Sequence, residues 1–168
     1  GTVGSGVYQI LEWQKEEMPK KLGAVVRLKK ILVRDTKKQR EGMDSSLFTD
    51  NWKEILEDPE IQIVIEVMGG IEPARTYITE ALQAGKHVVT ANKDLLAEHG
   101  KEVLDAAAEH GCDLMFEAAV AGGIPIIRPL KQCLAANHLT EVMGIVNGTT
   151  NYILTKMTAD HMEFSEAL

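Results

Sequence analysis

An α/β fold built on a parallel sheet is what the order of patterns in this chain predicts. Helical and strand-like stretches alternate from residue 3 to residue 118, and apart from residues 34–50 only a few residues connect each to the next. A glycine-rich start, Gly1-Thr2-Val3-Gly4-Ser5-Gly6, opens straight into the first helical pattern. Alternation with short connections means crossover units, and crossovers join parallel strands.

In order, Val3, Val7, Ile10, Leu11 and Met18 recur at near-helical spacing, and Pro19 is expected to stop that helix. Residues 24–33 are rich in β-branched side chains and read as a strand ending at Arg34. Residues 51–58 form a short helix capped by Asp50 or Asn51 and closed before Pro59. The run Ile61-Gln62-Ile63-Val64-Ile65-Glu66-Val67 is a strand that stops at Met68-Gly69-Gly70. A helix from Pro73 to Ala84 follows, with Gly85 at its C′ position. Residues 86–90 are a buried strand, and Asn92 is a good N-cap for a long helix reaching His110, buried through Leu96, Val103, Leu104 and Ala107. Residues 113–118 make one more short strand.

Beyond Ala119 the rhythm changes. Val120 to Pro125 reads as a loop, Ile126 to Ala136 as a helix and Leu139 to Val146 as a strand, with helices over 151–158 and 162–168. A domain boundary near residue 120 is therefore expected: residues 1–119 form a dinucleotide-binding domain, and 120–168 the start of a second, α+β domain too short to be complete. A glycine turn is normally entered from a strand, so the first domain is expected to lack its opening strand.

With 168 residues and 45% hydrophobic content the chain can bury a full core. Its net charge of −7 argues against nucleic acid or an anionic membrane as a partner of the whole chain, although local basic clusters can still bind the phosphate of a small molecule. Cys112 and Cys133 lack CxxC spacing, and the five histidines show no metal-ligand pattern. No signal peptide or long apolar run is present, so a cytoplasmic location is expected.

The candidate chemistry gathers at the ends of the predicted strands. Gly1 and Gly4 match the second and third glycines of GxGxxG, where backbone approaches a pyrophosphate at a helix N-terminus, with Thr2 and Val3 between them. Arg34, followed by Lys37, Lys38 and Arg40, favours a 2′-phosphate and hence NADP, while Asp35 keeps NAD open. Gly69 and Gly70 permit a cofactor ring to lie on the backbone. Lys93 stands in the first turn of a helix, the end that repels cations, which suggests a duty beyond solvation: holding a substrate carboxylate or hydroxyl, or steering a proton. Glu117 before a turned loop could serve a hard cation, although the residues by themselves favour a buried glutamate hydrogen-bonded to loop amides.

Five motifs, taken together, resemble one family. The N-terminal glycines, Val67-Met68-Gly69-Gly70, the run from His87 to Lys93, the run from Phe116 to Pro125, and the run from Gly144 to Tyr152 are similar, in order, to those of homoserine dehydrogenase. The resemblance covers essentially the whole chain and implies a Rossmann-like doubly wound parallel sheet followed by the beginning of a truncated catalytic domain. It implies NAD(P)-dependent interconversion of L-homoserine and L-aspartate 4-semialdehyde in threonine and methionine biosynthesis, with a homodimer for the full-length protein. By the same resemblance, Gly1 to Gly4 hold the pyrophosphate and Arg34 the 2′-phosphate, while Thr90, Asn92 and Lys93 line the nicotinamide and substrate end. Glu117 with the carbonyls of Val120, Gly122 and Ile124 resembles a Na⁺ site, and Gly148 and Thr149 begin the substrate pocket.

The family's acidic pair and second lysine belong to a later segment than Leu168, so the chain is expected to bind cofactor but to turn over poorly. Two other readings stay open. One is a nucleotide-binding regulatory module without catalysis. The other is a different NADP-linked dehydrogenase such as aspartate-semialdehyde dehydrogenase, which would need an activated cysteine.

Overall fold

The computed structural model describes residues 1–145 and 147–168. The chain divides into two compact units, Gly1–Ala119 and Val120–Leu168. The first is a Rossmann-like α/β arrangement in which every strand pairing is parallel. Its helices are α1 (Thr2–Trp13), α2 (Glu17–Leu22), α3 (Lys53–Leu56), α4 (Ala74–Gln83) and α5 (Lys93–Glu109). Its strands are β1 (Ile31–Leu32), β2 (Phe48–Thr49), β3 (Ile63–Glu66), β4 (His87–Thr90) and β5 (Leu114–Met115). Among the described residues the strands form a β1–β2 pair and a three-stranded sheet in the order β3-β4-β5.

The core lies between the three-stranded sheet and the two helices that cross over it. Ala74, Ile78, Ala81 and Leu82 of α4 meet Val88 of β4, Leu95, Val103 and Ala107 of α5, and Leu114 of β5. All nine are buried. Spacings of three and four residues on α4 place its apolar stripe on one face, which is why that helix lies flat on the sheet. Arg75 donates from Nε and Nη2 to Glu102, tying α4 to α5 at their exposed side, and these bonds hold the Glu102 carboxyl below the usual carboxylate range. The opposite face of the sheet is open, with Ile63, Ile65 and Met115 all more than 40% exposed.

Several expectations are corrected. The helix expected to end at Pro19 is two helices; Pro19 sits in the first turn of α2, where its missing N–H is not needed, and the left-handed Gly23 ends that helix. The glycine turn is absent as a turn, because α1 already begins at Thr2 and takes in Gly4 and Gly6. The strand over 24–33 shrinks to Ile31–Leu32: a ladder extends only as far as its partner, and β2 offers Phe48 and Thr49 alone. β2 is an unexpected strand, two residues long and too short to show a period. The strand over 113–118 contracts to β5, and Glu117–Ala119 turn into a 3₁₀ helix. On α5, Leu95 rather than Leu96 is fully buried and Leu104 is 39% exposed, because non-helical His99 rotates the pattern between the two halves of the helix.

In the second unit Pro129–Cys133 form a π-helical stretch in place of a full helix over 126–136; Leu134 N–H reaches back five residues to Pro129 O. Residues 139–145 carry no strand, and Val146, the end of that expected strand, lies outside the described residues. Helices α6 (Gly148–Ala159) and α7 (Phe164–Ala167) follow. Among the described residues no helix is long and apolar enough to cross a membrane.

Core placement leads to a direct stability test. Ile78→Ala, at a side chain 1% exposed, is expected to lower the unfolding free energy by about 2–5 kcal/mol in urea titration. Ile63→Ala, at a position 55% exposed, should cost below about 1 kcal/mol. Equal losses would contradict the location of the core.

Candidate functional site

Parallel pairing brings the carboxyl ends of β3, β4 and β5 to one edge, where open α/β sheets place their ligands. The register sets Glu66, the last residue of β3, opposite Thr90, the last of β4. Both side chains point into the protein and are buried, as is Asn92 two residues on.

The three form one hydrogen-bonded set. Thr90 Oγ1 donates to Glu66 Oε2 at 2.6 Å and accepts from Asn92 N–H at 3.0 Å. Glu66 Oε1 accepts from Met68 N–H at 2.7 Å and from Gly69 N–H at 3.3 Å. Asn92 then spends both ends of its amide: Oδ1 accepts from Leu95 N–H at 3.2 Å, capping α5, while Nδ2 donates to Gly70 O at 2.6 Å. Gly69 and Gly70 have φ of 76° and 75°, a left-handed conformation that suits glycine and leaves their backbone bare of side chains. Lys93, the first residue of α5, projects from this turn exposed, with no hydrogen bond or ion pair among the described residues.

The first turn of α1 reaches the same edge. A Cβ built on Gly4 would stand 3.4 Å from Val67 Cγ2, just past the end of β3. Gly1 occupies the N-cap position, with no side chain to cap the helix; Thr2 and Val3 complete the first turn, whose amide groups are those a helix leaves free for an anion. So Gly4, Gly69, Gly70, Thr90, Asn92 and Lys93 are brought to one edge.

Arg34 is elsewhere, just past β1 in the other sheet, exposed and without a hydrogen bond or ion pair among the described residues. Arg40 is committed instead: it donates to Asp35 O and Lys38 O and lies 5.0 Å over the Phe48 ring. Asp35 Oδ1 accepts from Lys37 N–H.

The remaining sequence candidates fall in different places. Glu117 is half-buried in the 3₁₀ turn that ends the first unit. Val120, Gly122 and Ile124 belong to the loop opening the second, where Ala121 and Gly122 are both left-handed at φ 56° and 61° and Ile124 N–H donates to Ala121 O. Gly148 and Thr149 form the first turn of α6, whose cap Asn147 accepts from Thr150 N–H at 2.8 Å. Cys112 Sγ contacts Leu82 O and His110 O at 3.6 Å, and Cys133 is exposed in the π-helical stretch. Sequence reasoning missed Glu66. The signal was there: a lone acid near the end of an apolar β-branched run has to find donors.

Comparison with known proteins gives one consistent result. The family model for the homoserine dehydrogenase NAD-binding domain matches residues 1–117, and that for homoserine dehydrogenase matches residues 125–168. The chain is 47% identical to homoserine dehydrogenase of Bacillus subtilis and 46% identical to that of Synechocystis, in each case over all of this chain and 39% of the relative. It thus spans well under half the length of these curated relatives. A homoserine dehydrogenase structure from Thiobacillus denitrificans superposes with a TM-score of 0.87 at 44% identity, covering 100% of this chain and 39% of that one. A hyperthermophilic archaeal homoserine dehydrogenase in complex with NADPH superposes with a TM-score of 0.55 at 30% identity, covering 70% of this chain and 36% of the other.

Because Asn92 both caps α5 and holds Gly70, Asn92→Ala is expected to destabilise the protein by about 2 kcal/mol or more in thermal unfolding. Asn92→Asp keeps the capping oxygen and loses the donor, so it should fall between. An aspartate variant as stable as the parent would show that the bond to Gly70 contributes nothing.

Proposed function

We propose that this chain, which belongs to the homoserine dehydrogenase family, supplies the NADP-binding part of an enzyme that interconverts L-homoserine and L-aspartate 4-semialdehyde. The observation that carries the reading is the single edge holding the first turn of α1, the bare Gly69-Gly70 backbone and the Asn92-Lys93 turn. Free helix-end amides suit a pyrophosphate, and glycine backbone suits the face of a flat ring. When bound, a nicotinamide supplies or accepts hydride; the protein's part is to bind, orient and move a proton.

Within that scheme the residues divide the work. Gly1, Thr2, Val3 and Gly4 hold the pyrophosphate, and Gly69, Gly70, Thr90 and Asn92 shape the nicotinamide end. Lys93 brings a free ammonium to the substrate, as a donor to its carboxylate or oxygen. Gly148 and Thr149 open the substrate pocket, and the Na⁺ role of Glu117 with the Val120, Gly122 and Ile124 carbonyls rests on the resemblance. We place the reaction in threonine and methionine biosynthesis in the cytoplasm, carried out by a homodimer.

Two observations support NADP over NAD. Arg34 has a free guanidinium at a strand end, and a guanidinium is the group that accommodates a 2′-phosphate. Asp35, the residue that would serve a ribose hydroxyl, already spends one oxygen on Lys37 N–H. The relative in complex with NADPH adds a precedent within the family.

Titrating NADPH and NADH into the protein tests the cofactor preference: NADPH should bind more tightly, and Arg34→Ala should remove most of the difference, about tenfold or more. Tighter NADH binding by the parent would contradict the role of Arg34. In a protein of the relatives' full length, Lys93→Ala is expected to reduce kcat/KM by about a hundredfold or more. Unchanged turnover would favour a nucleotide-binding module in which Lys93 has no chemical duty.

A further inference from the structure

The buried carboxyl group of Glu66 has no place in the scheme above, yet it sits at the centre of the edge that the scheme uses. It is 4% exposed and accepts three hydrogen bonds, from Thr90 Oγ1, Met68 N–H and Gly69 N–H. No cation pairs with it among the described residues, so neutral donors alone satisfy it. Leaving a carboxylate in such a place is costly unless the geometry around it is held.

Traced outward, the bonds close on themselves. Glu66 reaches Thr90, Thr90 reaches Asn92 N–H, Asn92 Nδ2 reaches Gly70 O, and the chain returns through Gly69 N–H to Glu66. Two consecutive left-handed glycines have little conformational preference of their own. Without the bonds to Glu66 and Asn92 the Met68–Gly70 turn would sample many shapes. With them, it and the first turn of α5 form one rigid piece.

From this we infer that Glu66 is a positioning residue: its carboxyl group locks the Gly69-Gly70 wall to the Thr90–Lys93 turn and so sets the geometry in which both meet the nicotinamide cofactor. The inference rests on the cofactor reading of that edge. Its mechanical part, the coupling of the two turns, rests on hydrogen bonds alone. Glu66 touches neither cofactor nor substrate in this assignment; it acts through Thr90, Met68 and Gly69.

The test uses the 168-residue protein and compares Glu66→Ala and Glu66→Gln with the parent, Ile78→Ala serving as a control for lost stability. Hydrogen exchange is read at the amides of Met68, Gly69 and Leu95, well below the melting temperature of every variant. Leu95 N–H bonds to Asn92 and not to Glu66, so it reports the coupling. Glu66→Ala should speed exchange at Leu95 about tenfold and weaken NADPH binding about tenfold to a hundredfold, the penalty of a displaced binding geometry. Glu66→Gln, which keeps an acceptor for Met68 and Gly69 and a polar partner for Thr90, should lose less than about a third of that effect on a logarithmic scale. Ile78→Ala should leave the dissociation constant unchanged.

Unchanged Leu95 exchange in folded Glu66→Ala would overturn the coupling. Faster Leu95 exchange with undiminished NADPH affinity would overturn the positioning role. Should Glu66→Ala fail to fold, Glu66→Gln decides by the same two readouts, with parent-like NADPH affinity despite faster Leu95 exchange counting against the proposal. If the parent binds neither NADPH nor NADH, the cofactor reading fails while the Leu95 readout still decides the coupling.

Discussion

The side chain of Asn92 does two things that no other residue at this edge could do together. Its carbonyl oxygen satisfies an amide at the start of α5, and its amino group satisfies the carbonyl of Gly70 across the strand boundary. α5 contributes Leu95, Val103 and Ala107 to the core, so its starting point decides how they meet α4 and the sheet. The same bond holds a glycine turn that has no side chains with which to hold itself. A single buried amide therefore joins the packing of the domain to the shape of its ligand edge, and substitution there acts on both.

Burial explains why this edge is polar inside and bare outside. Glu66, Thr90 and Asn92 are all at most 4% exposed, and each donates or accepts within the set. The exposed surface of the same edge includes the Gly69-Gly70 backbone and Lys93. A ligand laid on it meets amides, carbonyls and an ammonium whose positions are held from behind, and pre-organisation of that kind reduces what binding has to order. On the open face of β3 and β5 the exposed Ile63, Ile65 and Met115 are apolar instead.

Where pattern and burial agree, the fold was legible in the sequence. The stripe Ala74, Ile78, Ala81, Leu82 and the run Val88-Val89-Thr90 each specify one element and one face, and Asn92 as a cap follows from its position alone. Legibility failed where an element depends on a partner distant in sequence. Residues 24–30 have strand composition, yet among them Val25 is 76% exposed and no ladder forms, since pairing is a property of two segments. β2 failed for the converse reason: Phe48 and Thr49 are too few to show a period. The site was legible as a list of residues at strand ends, but not as a network. Glu66 reads as one residue within the apolar run 61–67, because only the register Glu66↔Thr90 shows what its carboxyl group faces.

Lys93 is the residue for which these constraints combine. A lysine at the first position of a helix opposes the positive end of the helix dipole, which disfavours it by a few tenths to about 1 kcal/mol. Asp94, the next residue, offsets part of that field from the same turn. No carboxylate among the described residues pairs with the ammonium, although the chain carries an excess of acids and salt bridges elsewhere take up Lys20, Lys29, Lys30, Lys101 and Lys156. What distinguishes Lys93 from those lysines is its base: its backbone follows directly on Asn92, whose buried side chain is bonded at both ends. A cation that is free at its tip and fixed at its root is suited to meeting an anionic or electron-rich atom brought by a ligand. A lysine already paired at the surface would first have to give up its partner.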